Sequence, residues 1–215
     1  ARGPDRSRGT VNPSTATSQA VIQHLLNAGV RHIVVSPGSR SAGLAWAAAE
    51  AQRAGLCQVH VRLDEREAGF LALGLAKAQR EPAAVVVTSG TAAANLVPAV
   101  IEAHYAAVPL IAVTADRPAR LRGRGAAQTI DQPPLMAHYV AAVVDVDAES
   151  PDVGAVAQAL HDAIRTRQAP VHINVQFDLP LMPEEPTWAP QRTKQDLIDI
   201  LEGYDDRIIQ IARDL

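Results

Sequence analysis

Short apolar, β-branched runs alternate with longer helix-forming stretches along most of this chain, and that alternation leaves few folds open. HIVVS (32–36), QVHVRL (58–63), AAVVVT (83–88), LIAVTA (110–115), VAAVVDV (140–146) and VHINVQ (171–176) read as strands. Helices are expected between them: residues 15–28, capped by Ser14 and stopped by Gly29, an alanine-rich stretch ending near Ala54, residues 64–79, a stretch ending near Ala106, and residues 151–167. Residues 116–135 read as a long loop. Strands this apolar, separated by helices, predict an α/β fold: a parallel sheet of about six strands with helices on both faces. In such sheets ligands collect at the carboxyl ends of the strands.

Composition narrows the function. Twenty basic against 23 acidic residues give a net charge of −3, where a polyanion-binding domain would be strongly basic. Two Trp, three Tyr and two Phe in 215 residues are too few for a base-stacking surface, so no nucleic acid partner is expected. No apolar run is long enough to span a membrane. A single cysteine, Cys57, permits no internal disulfide, which with the absence of a secretory h-region suggests the cytoplasm. The seven histidines form no HExxH pair and no CxxC exists, so no metal site is expected from this chain alone.

The ends differ from the middle. Residues 1–11, rich in Arg and Gly, read as a disordered tail, and 12–184 as the α/β domain. Prolines at 180, 183, 186 and 190 suggest a stiff linker over 185–195. Residues 196–215 read as an amphipathic helical tail: Leu197, Leu201, Tyr204, Ile208, Ile211 and Leu215 follow heptad spacing. That seam suits docking on its own domain or contact with a partner.

Three strand-to-helix loops carry candidate chemistry. SPGSR (36–40) combines a tight turn with Arg40, suited to a carboxylate or phosphate. Glu65 in DERE (64–67) is either an acid favoured by the helix dipole or a carboxyl desolvated at a strand end, able to move a proton. TSGT (88–91) resembles a helix-start nest but has no Walker lysine, and no GxGxxG follows any strand. Arg117 in TADRP (114–118) lies just beyond a strand, with Arg122 and Arg124 on a loop that reads as solvated or partner-facing.

In order and spacing, HIVVSPGSRSAGLA, VRLDEREAGFLALGLAKA, VVVTSGTAAANLVPAVIEA, VPLIAVTADRPA, GAAQTIDQP and VHINVQFDLPL resemble the N-terminal, pyrimidine-binding domain of the 2-succinyl-5-enolpyruvyl-6-hydroxy-3-cyclohexene-1-carboxylate synthases (MenD). These are thiamine-diphosphate enzymes of menaquinone biosynthesis. The resemblance implies condensation of 2-oxoglutarate with isochorismate, with loss of CO2. It implies Glu65 as the catalytic group at the cofactor's pyrimidine N1′, and Ser39, Arg40, Arg117 and Gln128 as substrate contacts. Pro37, Thr88 and Asn95 match positions lining the pyrimidine pocket. Two departures stand out. Ala127 occupies the place of the asparagine in the family's GANQ, and nothing after Phe177 resembles the GDG…N motif that holds Mg2+ and the diphosphate. The resemblance therefore implies half a site, completed by a homo-oligomer or a partner chain, and no turnover by this chain alone. Ala127 leaves open a pyrimidine-binding subunit of another 2-oxo acid decarboxylase, and the heptad tail a non-catalytic interaction module.

Overall fold

The computed structural model describes residues 11–183 and 188–191; the expected N-terminal tail up to residue 10 and the helical tail lie outside them. Within the described residues six strands form one all-parallel sheet: β1 (His32–Val35), β2 (Gln58–Val61), β3 (Ala83–Val87), β4 (Leu110–Asp116), β5 (Val143–Val146) and β6 (Val171–Gln176). Their order is β2-β1-β3-β4-β6-β5. The expected α/β architecture is the observed one.

Each face carries its own helices because successive strand residues point to opposite sides. On one face α1 (Pro13–Asn27), α2 (Ala42–Arg53) and α6 (Gly154–His161) bury Ile22, Leu25, Leu44 and Leu160 against Ile33, Val86, Ile111 and Ile173. On the other, α3 (Glu65–Gln79), α4 (Thr91–Asn95) and α5 (Val97–Tyr105) bury Ala72, Leu96 and Val100 against Val34, Val85 and Leu110.

Several boundaries differ from expectation for local reasons. The cap of α1 is Asn12, whose Oδ1 accepts the Thr15 N–H at 2.9 Å, because Pro13 fills the first helical position. Ser14 instead donates from its hydroxyl to the Asp178 carbonyl at 2.6 Å. The helix expected up to Ala106 breaks at Leu96, ahead of Pro98, which has no N–H to continue the ladder. The helix expected from Pro151 begins at Gly154, with Asp152 Oδ1 accepting the Ala155 N–H. It continues past His161 as a π-helical stretch, Asp162–Arg167. The segment 116–135 is more ordered than a plain loop: β4 runs through Asp116, and Ala119–Leu121 and Pro133–Met136 form 3-10 turns. Beyond β6 the chain folds back over α1 and α2, with Asn12 donating to the Met182 carbonyl and Trp188 tilted against Trp46.

The second face is polar at one end. Thr114, Asn174 and Asp145 stand in register across β4, β6 and β5. His172, fully buried two residues before Asn174, shares a 2.8 Å hydrogen bond with Thr114. The Thr114 hydroxyl donates its one proton to Asn174 Oδ1 (2.8 Å), so His172 Nε2–H is the donor to Thr114. Its Nδ1 has no hydrogen-bond partner among the described residues. Burial holds the imidazole down at about 4, against the pull of Asp145 and the Pro133 carbonyl. The unfolded chain, with an ordinary histidine near 6.5, takes up this proton first as pH falls. Stability tied to His172 is therefore complete above pH 6.5 and is lost between pH 6.5 and about 4. Urea unfolding at pH 7 and pH 4 should show a loss containing about 3 kcal/mol from this group. His172→Gln should remove that part of the pH dependence, and an unaltered slope in the variant would contradict the assignment.

Candidate active site

The connections reverse direction around the centre of the sheet. From β1 the chain crosses to β2 on one side and then to β3 on the other. Such a reversal opens a crevice at the carboxyl ends of the two central strands. The loops leaving β1 and β3 are SPGSR and TSG, and they touch. A Cβ placed on Gly38 would lie 2.3 Å from Thr88 Cβ and 2.8 Å from its Oγ1, so only glycine fits. Gly90 turns at φ +80°, and a Cβ there would meet Gln128 Cγ at 2.9 Å. The GAAQ segment is thereby packed on TSG.

Arg117, just past β4, closes the arrangement. Its guanidinium donates to Ser89 Oγ at 2.9 Å and to the Gln128 carbonyl at 3.1 Å, while Gln128 Nε2 donates to the Ser89 carbonyl at 3.0 Å. Arg40 reaches across to the Phe177 carbonyl at 2.9 Å. Burial and then the like charge of Arg117 hold the Arg40 guanidinium below its ordinary value, against the opposing pull of Asp178 and Asp116. The two cations thus feel one another.

The rim arginines divide cleanly. Arg120 pairs with Glu149 and Asp178, and Arg122 with Asp116 and Asp145. Arg124 is exposed. Among the described residues, Arg40 and Arg117 are half-buried and bonded only to neutral oxygens. A half-buried cation with no counterion in bonding distance gains from pairing with an anion.

Glu65 is the first residue of α3, where the β2 connection enters the helix. Asp64 caps that helix, accepting the Glu67 N–H at 2.8 Å. Glu65 is half-buried, and its carboxylate has no hydrogen-bond partner among the described residues. One turn on, Gly69 lets α3 lie against α4 and α5: a Cβ there would stand 3.0 Å from Ala99 Cβ. Ser36, just past the end of β1, is buried with no partner for its hydroxyl among the described residues. Pro37 and Ser39 are exposed on their loop, with the Ser39 carbonyl accepting the Ala42 N–H. Thr88 is buried beneath Gly38. Asn95 is exposed at the end of α4, and its amide bonds locally to the Thr91 carbonyl at 3.0 Å. The structure therefore joins Thr88, Arg117 and Gln128 through contacts of their own loops and brings Arg40 within reach of the Arg117 charge. It leaves Pro37, Ser39 and Asn95 solvent-exposed, with no contact that joins them to that group.

A buried network supports these loops. Gln132, fully buried, accepts the Gly90 N–H at 2.7 Å and donates to the Ala115 carbonyl (3.1 Å) and Asn174 Oδ1 (2.7 Å). Asn174 Nδ2 donates to Asp116 (3.1 Å) and Asp145 (2.7 Å). Arg122 then bonds both carboxylates, at 2.8 Å each. Burial raises the Asp145 carboxyl, yet hydrogen bonds from Arg122, Asn174 and Gln176 hold it below its usual range. Arg122 is thus a half-buried cation paired with two carboxylates, not the solvated or partner-facing residue expected. Its carboxylate partners, Asp116 on β4 and Asp145 on β5, are brought together only by the sheet, through β6.

A family model described as "Thiamine pyrophosphate enzyme, N-terminal TPP binding domain" matches residues 15–135. The chain belongs to the thiamine pyrophosphate enzyme family. It is 52% identical to a 2-succinyl-5-enolpyruvyl-6-hydroxy-3-cyclohexene-1-carboxylate synthase from Leifsonia xyli subsp. xyli over 182 residues, covering 80% of this chain and 31% of that protein. Synthases of the same name from Paenarthrobacter aurescens and Kineococcus radiotolerans are 49% and 51% identical, each over 80% of this chain and over 31% and 33% of their own lengths. The chain spans about a third of the length of these curated relatives. The resemblance to the N-terminal domain of this synthase, drawn from the motifs, is borne out.

The Gly38–Thr88 contact fixes the width of the crevice. Gly38→Ala should cost about 1–3 kcal/mol in chemical denaturation. Thr88→Gly in the same chain removes every atom the new methyl meets first and should recover most of that loss. Equal stability of Gly38→Ala and the parent would show that the two loops are not packed as described.

Proposed function

We propose that this chain forms the pyrimidine-binding half of a thiamine-diphosphate site in a synthase that condenses 2-oxoglutarate with isochorismate, releasing CO2, in menaquinone biosynthesis. The observation that carries the reading is the Arg40–Arg117 pair, half-buried beside the central crevice and, among the described residues, bonded only to neutral oxygens. Both substrates are dicarboxylates, and each arginine–carboxylate contact is worth roughly 1.5–3 kcal/mol. Ser39, on the Arg40 loop, and Gln128, against Arg117, complete the substrate contacts.

The residues present fit the cofactor's pyrimidine. Glu65 has a half-buried carboxylate without a partner among the described residues, and Ser36 a buried hydroxyl without one. Unmet polar groups at the ends of adjacent strands suit a heterocycle that brings its own donors and acceptors. Glu65 would hold a proton at the pyrimidine N1′, with Pro37, Thr88 and Asn95 lining the pocket. When bound, thiamine diphosphate supplies the electron sink for decarboxylation and carboligation. Arg40 and Arg117 orient the substrate carboxylates. Glu65 needs a further surface to exclude water from it, and the diphosphate and Mg2+ need a GDG…N motif that these 215 residues do not contain. A diphosphate-binding domain outside these residues would supply both. This reading puts the protein in the cytoplasm, where a lone cysteine stays reduced.

Two measurements test it. Assembled with a diphosphate-binding domain, Glu65→Gln should slow exchange of the cofactor C2 proton, followed by NMR, by about 10²–10⁴; exchange at the parent rate would remove Glu65 from this role. The 215-residue chain alone should show no carboligation and only weak thiamine diphosphate binding by calorimetry. Turnover by the pure chain would contradict the half-site.

A further inference from the structure

Five arginines line the loops after β1 and β4, yet among the described residues only Arg40 and Arg117 are half-buried without a carboxylate partner. The reason lies one residue away from Arg117. Asp116 is fully buried and its backbone leads directly into Arg117, whose N–H its own Oδ1 accepts at 2.7 Å. An unpaired carboxylate there would be the nearest counterion for the Arg117 guanidinium. It would draw that group off Ser89 and Gln128. Asp145 adds a second negative charge, tied to the same Asn174 amide. Arg122 takes both: Nη2 and Nε on Asp116 at 2.8 and 3.3 Å, and Nη1 and Nη2 on Asp145 at 2.8 and 3.1 Å.

We infer that Arg122 is a positioning residue for the anion site: by bridging Asp116 and Asp145 it holds the Asp116 carboxylate off the Arg117 guanidinium, leaving Arg117, beside Arg40, free to receive a substrate carboxylate. Arg122 touches no substrate in this account. It acts on the charge that its neighbours present, and a planar fork with several donors is what bridging two carboxylates in fixed positions requires. The inference rests on the dicarboxylate reading above, so its test includes a measurement that needs no ligand.

The 215-residue chain and its variants are compared by NMR in two ways. One follows the Arg117 Nε–H signal without ligand, and the other titrates 2-oxoglutarate into the chain, with thermal unfolding run alongside. Arg122→Gln should shift the Arg117 signal as that side chain turns to Asp116, and weaken 2-oxoglutarate binding roughly tenfold. Arg124→Gln removes one positive charge from the same loop, but from an exposed side chain, and should leave both readings at parent values. The double variant Asp116→Asn with Arg122→Gln removes the charge that needs sequestering. It should return the Arg117 signal and the affinity to within about threefold of the parent. If Arg122→Gln is too unstable to study, Arg122→Lys keeps the charge without the fork and should give a smaller shift in the same direction. An Arg117 signal that stays put when Arg122 is changed overturns the inference, as does a double variant as impaired as the single one. A parent chain that ignores 2-oxoglutarate while the Arg117 signal responds as described overturns the substrate reading and leaves the role of Arg122 standing.

Discussion

The contact between Gly38 and Thr88 is the constraint on which the rest depends. It exists because β1 and β3 are in-register neighbours whose outgoing connections diverge, so two loops from distant parts of the sequence leave the sheet side by side. With no side chain at 38, the SPGSR loop rests directly on the first residue of TSG. Everything placed by those loops inherits that fixed distance: Arg40 on one, Ser89 and Gly90 on the other, and through Ser89 the Arg117 guanidinium.

Charge is arranged on this frame with the same economy. The polar end of the sheet would be costly to bury if its groups were unmatched. Asn174 meets that cost by using both its atoms twice: Oδ1 accepts from Thr114 and Gln132, and Nδ2 donates to Asp116 and Asp145. Gln132 carries the same network to the Gly90 N–H, so a polar cluster under β6 reaches the loop at the crevice mouth. The network sets the geometry, and the arginines outside it supply the unspent positive charge.

The fold was readable because it rests on strong, local signals. Runs such as AAVVV and LIAV are apolar throughout, as strands covered on both faces must be, and glycines at 29 and 55 mark helix ends with positive φ. Small errors came from competing local chemistry: Asn12 outranked Ser14 as a cap once Pro13 took the first turn, and Pro98 split one helix into two. The candidate-site loops stand out in the sequence as well, since glycine, proline and arginine cluster at strand ends. The supporting network was not. Thr114, Asp116, Asp145, His172 and Asn174 lie inside otherwise apolar strands, and nothing in the one-dimensional order says that they share a face in adjacent registers. The role of Arg122 depends on that register, so its neighbours in sequence pointed to a solvated loop.

The central claim is that Glu65 and the Arg40–Arg117 pair face one bound assembly of cofactor and dicarboxylate. The most direct measurement is a crystal structure of this chain assembled with a diphosphate-binding domain, thiamine diphosphate and 2-oxoglutarate. The account predicts the Glu65 carboxyl hydrogen-bonded to the pyrimidine N1′ and a substrate carboxylate on Arg40 and Arg117. A Glu65 carboxyl turned to solvent, with the ring nitrogen bonded elsewhere, would contradict it.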